Sequence, residues 1–278
     1  PGTVVVGVDL RAVESGLVVR SMHRTDAAGS QSLSIVDVEL EHGCLSCTLR
    51  LDLLPTLRRL HRDPAVQRIV LVLDPAIEPE QFAVELQHTM VEADDLPAAP
   101  AGTEVVVQQT ICTVEAGHWL TAATGDETLR EAGLVAAEDE RTLAQVAVAQ
   151  VRFADLLIIT GADRCGGGWE LARLHAVLVR LAPAAGMRTL NSLQPITPEL
   201  ISAASAGIGD DAPRGRPRRT FDPLLAGCPE LDPDCGVVLH LFEADRPFHP
   251  ERLHAALDVL LEGVVSARGR LWLADEPE

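Results

Sequence analysis

Cys44 and Cys47 stand three residues apart behind a glycine, in the stretch Gly43-Cys44-Leu45-Ser46-Cys47-Thr48-Leu49-Arg50. Two thiols at this spacing can close on one soft metal ion, because thiolate is a ligand that Zn²⁺ favours and Gly43 lets the backbone fold back behind the pair. The same spacing also fits two ordinary loop cysteines, or a thiol oxidoreductase couple whose pKa is lowered at a helix N-terminus. His42 adjoins the turn and could complete a metal shell, although a surface turn histidine is the plainer reading of that residue alone. Cys112 falls within an apolar run and reads as core, Cys165 precedes Gly166-Gly167-Gly168, and Cys228 and Cys235 flank a Pro/Gly-rich stretch.

The elements that must position the cysteine pair are readable on both sides. The run Ser34–Leu40 before it is apolar enough for a strand. Leu49, Leu51, Leu53, Leu54, Leu57 and Leu60 after it repeat with helical period. The pair therefore lies on a strand-to-helix connection, where sites gather in open α/β sheets. Thr3–Val8, Arg68–Leu73, Glu104–Glu115 and Ala154–Thr160 read as further strands. Glu80–Glu92, Arg141–Val151 and Trp169–Leu181 read as helices, the last ended by Gly186. Strands alternating with helices imply a mostly parallel sheet, hence an α/β fold. From Ser205 to Cys235 glycines and prolines interrupt regular structure, and Arg214, Arg216, Arg218 and Arg219 cluster there. A solvated hinge is the preferred reading of that cluster over a binding patch. Gly236–Phe242, Pro250–Val264 and Gly269–Ala274 read as a small β-α-β unit. The expected organisation is thus 1–204, a linker 205–235, and a second domain 236–278.

The cysteine block resembles the Gly-Cys-x-Cys-Cys-Thr-Leu-Arg signature of the CobW-type family of metal-handling GTPases, with Ser46 in place of the middle cysteine. Further segments carry the likeness: Thr110–His118 resembles the family's Val-Asp-Ala-x-His stretch, and Arg246–Leu253 and Ala267–Leu273 resemble its C-terminal-domain signatures. The resemblance implies a P-loop-NTPase-like sheet followed by a CobW-type C-terminal domain. It also implies that Asp9 and His118 stand at metal-associated positions. With Cys44, Cys47 and His42 they form the candidate Zn²⁺ ligand set, arriving from several βα connections. On this likeness the first β-α unit and its phosphate-binding loop would lie upstream of Pro1, and the C-terminal domain is expected to be incomplete.

The same likeness bears on GTP. Thr160-Gly161-Ala162-Asp163 stands where the family carries Asn-Lys-x-Asp, so only Asp163 remains to accept from a guanine edge. Pro75 stands at the glycine whose N–H would meet a γ-phosphate, and proline has none to give. Val72 stands at the acidic position that supports Mg²⁺ or the attacking water. The chain contains no lysine. A degenerate nucleotide site without GTP hydrolysis is expected from this chain. The alternative is a GTP-dependent zinc metallochaperone whose phosphate loop lies upstream. Likeness to the family's actinobacterial branch implies an accessory role in zinc homeostasis, or in ribosome hibernation under zinc limitation. A client or ribosome-associated protein would then be its partner.

Composition limits the remaining classes. A net charge of −18 over 278 residues disfavours direct binding to nucleic acid across a broad surface. The 47% apolar content supplies a sizeable core without a run long enough to span a membrane. Six scattered cysteines argue for a reducing, cytoplasmic setting. Oligomeric state is not legible.

Overall fold

The computed structural model describes all residues except 1, 27–28, 41–47, 94–95, 136–138, 226–228 and 275–278. Its strands are β1 (Thr3–Asp9), β2 (Leu17–Thr25), β3 (Gln31–Glu39), β4 (Arg68–Val72), β5 (Met90–Ala93), β6 (Leu96–Pro100), β7 (Ile111–Glu115), β8 (Leu156–Thr160) and β9 (Gly186–Thr189). Its α-helices are α1 (Leu54–Arg62), α2 (Pro79–His88), α3 (Trp119–Thr124), α4 (Leu143–Arg152), α5 (Gly168–Leu181), α6 (Pro198–Ser205) and α7 (Pro250–Leu261). A π-helical turn, Leu49–Leu53, leads into α1. Contacts divide the chain into two units. The first is Pro1–Thr110 with Asp126–Phe153 and Pro213–Arg218; the second is Ile111–Gly125 with Ala154–Ala212 and Arg219–Glu278.

In the first unit a four-stranded sheet runs in the order β3-β2-β1-β4. β1 is parallel to β4, as alternating strands and helices predict, and antiparallel to β2. β3 follows β2 as an antiparallel hairpin because only the short Asp26–Ser30 segment joins them, too little for a crossover. Val4, Val6 and Val8 alternate into the core beneath β1, and Leu53, Leu54, Leu57 and Leu60 meet them from the π turn and α1. Each such leucine stabilises by about 1.5–3 kcal/mol on full burial. Arg58, 1% exposed, points from α1 to the Val91 and Pro97 carbonyls and to both oxygens of Glu104. Arg62 adds a second guanidinium on Glu104, and together they hold its pKa down at about 2. α4 opens on a reciprocal cap in which Thr142 and Gln145 satisfy one another's backbone N–H groups.

The second unit contains the parallel sheet β7-β8-β9. β8 is central and Leu156–Ile159 are fully buried, as an unbroken apolar run in a parallel sheet should be. α5 buries Leu174, Val177 and Leu178. Gly186 is the first residue of β9 rather than a helix end, and it has no room for a side chain: a Cβ there would lie 2.8 Å from the Ala204 carbonyl oxygen of α6.

Two further differences from the sequence reading have local causes. The strand expected over Glu104–Glu115 begins only at Ile111, since Val105 and Val107 pack into the first unit while β7 pairs in the second. Residues 105–110 join the two and take no regular secondary structure. At the C-terminal end α7 forms as expected, but its two flanking strands do not. Gly236–Phe242 and Gly269–Ala274 keep only the isolated bridges Asp234↔Val237 and Phe248↔Leu273. Without a continuous ladder Phe242 and Trp272 remain exposed, although the Phe242 ring keeps a tilted contact with Phe248 at 6.1 Å between centroids.

Candidate functional site

His42, Cys44 and Cys47 lie outside the described residues. The chain is described again from Thr48, which is buried, and enters the π turn at once. A helical segment thus begins directly after the cysteine-bearing residues, as the leucine spacing predicts.

Asp9 ends β1 in the first unit. Its carboxylate accepts from the backbone N–H of Arg11 at 2.9 Å and from the same residue's guanidinium at 2.9–3.0 Å. Those side-chain hydrogen bonds, then the backbone one, lower its pKa from the ordinary aspartate value. Asp9 is therefore an ionised, partly exposed oxygen donor whose local partner is an arginine that a cation would have to displace. His118 belongs to the second unit, just before α3. Its ring is 81% exposed, and Nδ1 lies 3.4 Å from Glu115 Oε1. Among the described residues, no group of three or more His, Cys, Asp or Glu side chains is arranged to hold a metal ion. Cys112 is buried on β7, where desolvation pushes its thiol up to about 12.

The loops leaving the carboxyl ends of β7, β8 and β9 form the more fully built site. Gly161 takes the left-handed conformation, φ +67°, that turns the chain out of β8, and a single 3₁₀ turn places Asp163 above the sheet. Oδ1 of Asp163 accepts from the Ser192 backbone N–H at 2.6 Å and from its hydroxyl at 2.7 Å. The Ser192 hydroxyl, and next its N–H, lower the Asp163 pKa, so the carboxylate stays charged. Arg164 Nε in turn donates to the Ser192 hydroxyl oxygen. Cys165 Sγ lies 3.5 Å from the Ala116 carbonyl, joining this loop to the one after β7. Ser192 and Arg164 were missed in the sequence because β9 was missed. A strand starting at Gly186 would have placed Asn191-Ser192 at the same sheet end as Asp163.

The positions expected to meet a phosphate are built differently. Val72 closes β4 and is half exposed. Pro75 follows with no N–H to offer, and its carbonyl accepts from Gln150 at 2.8 Å. Between them Asp74 is 7% exposed, and its two oxygens accept from the Leu10 and Ala76 backbone N–H groups at 2.9 Å each. This carboxylate ties the exit of β1 to the exit of β4.

Residues 13–188 match the family model of the CobW/HypB/UreG nucleotide-binding domain. The chain is 41% identical over 264 residues to the zinc chaperone Rv0106 of Mycobacterium tuberculosis, covering 95% of this chain and 61% of that protein. It is 23% identical over 278 residues to the zinc-regulated GTPase metalloprotein activator 1 of Dictyostelium discoideum, covering 96% of this chain and 55% of that protein. The chain thus spans little more than half the length of these relatives. The solved Zn(II)-bound YjiA GTPase from E. coli aligns over 87% of this chain and 64% of its own, at 17% identity and a TM-score of 0.36, a superposition that carries no argument.

Proposed function

The chain belongs to the CobW/HypB/UreG family, and on that premise we propose that it is a zinc-linked accessory protein whose nucleotide site keeps its base-recognising end and has lost its hydrolytic one. The observation that carries this reading is Asp163, held by two donors from Ser192 at the carboxyl end of a parallel sheet. A carboxylate fixed in this way is prepared to accept from a purine N–H edge. Pro75 and Val72 withhold the N–H and the acid that phosphoryl transfer needs. Zinc is supported by the names of two relatives and by the donor chemistry of Cys44 and Cys47, with His42, Asp9 and His118 as further ligands.

The domain limits 1–204 and 236–278 belong with this reading. So does a protein client: an acidic chain engages a basic partner protein, ribosome-associated in the hibernation role, more readily than bare RNA. Among the described residues no helix is long and apolar enough to cross a membrane. A GTP-dependent zinc chaperone is the second reading, favoured by the intact Asp163–Ser192 arrangement.

Guanine-nucleotide titration and GTP turnover on one preparation test the degenerate-site reading. The proposal expects weak, Asp163-dependent binding of guanosine nucleotide without multiple turnover. Sustained GTP hydrolysis that disappears in Asp163→Ala would overturn the degenerate-site reading in favour of the chaperone GTPase.

A further inference from the structure

Arg20 and Arg24 lie four residues apart on β2, so their side chains share one face of the strand. Thr56, Arg59 and Asp63 recur at helical spacing along α1 and its C-terminal cap. Within the first unit these side chains line a cavity of about 170 Å³ between the strand and the helix. At about 30 Å³ per water in the liquid, that is room for about five waters, or for one small oxyanion.

The polar groups of this lining are rich in donors. Arg20 Nη1 donates to the Asp52 carboxylate behind the cavity and to Thr56 Oγ1 at 2.6 Å. Arg24 Nη1 donates to Asp63 Oδ2 at 2.6 Å. Each of these arginines thus commits one terminal nitrogen, and among the described residues Nε and Nη2 of both have no acceptor. Thr56 is only 3% exposed. Its oxygen takes the Arg20 N–H, while its own O–H has no acceptor among the described residues. The acid of the lining, Asp63, is already engaged at both oxygens, the second by the Ala65 N–H at 3.0 Å. A cavity bordered by guanidinium N–H groups and a buried hydroxyl, with its carboxylate occupied, is matched by an occupant made of acceptors.

We propose that this cavity between β2 and α1 is a binding site for a phosphoryl oxyanion. The planar forks of Arg20 and Arg24 match phosphate oxygens, and the Thr56 hydroxyl supplies a further donor. Arg59 adds a third cationic side chain to the lining. Asp52 and Asp63 hold Arg20 and Arg24 in place through one nitrogen each and leave the others for the ligand. The chain carries a net charge of −18, which repels an anion at long range, so affinity comes from these local donors and not from the surrounding field. Neither the nucleobase reading nor the zinc reading uses these residues.

The test is calorimetric titration of the full chain with inorganic phosphate and with glycerol phosphate, at constant ionic strength set with chloride. Saturable phosphate binding is the expected result, weakened tenfold or more in both Arg24→Gln and Thr56→Val. It should be unchanged in Arg188→Gln, which removes an exposed arginine of the second unit. The Arg24 side chain is 40% exposed, so its replacement keeps the fold, checked by thermal melting, and it serves if Thr56→Val fails to fold. Glycerol phosphate binding as tightly as phosphate or tighter, with the same loss in Arg24→Gln, identifies the source as a phosphorylated small molecule; tighter binding of phosphate identifies the free ion. No saturable binding beyond that in chloride, undiminished binding in folded Arg24→Gln, or an equal loss in Arg188→Gln overturns the site.

Discussion

Two carboxylates of the same charge do different work because of what donates to them. Asp74 is enclosed by backbone N–H groups and is spent on structure, whereas Asp163 is oriented by Ser192 on an exposed loop. Ser192→Ala removes one of the two donors described on Asp163, so guanosine-nucleotide affinity should fall by about three- to tenfold, corresponding to one hydrogen bond of about 1 kcal/mol. Retained affinity in Ser192→Ala, measured by the same titration that detects loss in Asp163→Ala, would show that Ser192 does not orient the acid. Glu104 makes the electrostatic argument in the core. Its pKa, about 2, lies below the ordinary value of 4.5, so its contribution is fully present above pH 4.5 and is lost as pH falls from there toward 2. Glu104→Gln should cost about 2 kcal/mol or more near neutrality, since Arg58 is buried and loses its counter-charge. It should also flatten the acid side of the stability curve. Urea melts between pH 3 and 7 check both. Asp163 could be named from the sequence as the acid at the family's Asn-Lys-x-Asp position, a role that remains a proposal. Asp74 and Ser192 could not be, because a capping carboxylate and a partner serine declare themselves only when separate loops meet.

At the scale of elements, the strands that were read correctly carry their own evidence. β8 is a bare apolar run and β1 alternates into a core, so each announces its environment in its composition. Helices α4, α5 and α7 were likewise visible in apolar periodicity. The hairpin β2–β3, strand β9 and the missing C-terminal strands were illegible for one reason: a strand is defined by its neighbour, and periodicity says nothing about who the neighbour is. The 213–218 segment gives the clearest lesson. Its prolines, glycines and arginines read as a hinge, yet Gly215 is required by contact with Val107 and by φ +69°. Gly215→Ala should therefore release the segment. Limited trypsinolysis after Arg214 and Arg218 should accelerate several-fold relative to the parent, and equal cleavage rates would show the segment to be loose already. Thr142→Ala, which breaks the cap of α4, should lower stability by about 1 kcal/mol without exposing these bonds.

For the whole molecule, family membership rests on residues 13–188, and the proposed function rests on chemistry at two places in the chain: a cysteine pair whose spacing suits zinc and the Asp163 carboxylate proposed to meet a nucleobase. The zinc assignment is the central claim. The decisive measurement is the zinc content of the purified full chain by elemental analysis after dialysis against trace Zn²⁺, beside the Cys44→Ser/Cys47→Ser double variant. Two thiolates supply half of a tetrahedral shell and most of its affinity. The account predicts about one tightly held Zn²⁺ per chain, falling close to zero in the double variant while the fold, followed by circular dichroism, is kept. Zinc content that is equal in parent and double variant, or absent from both, would contradict it.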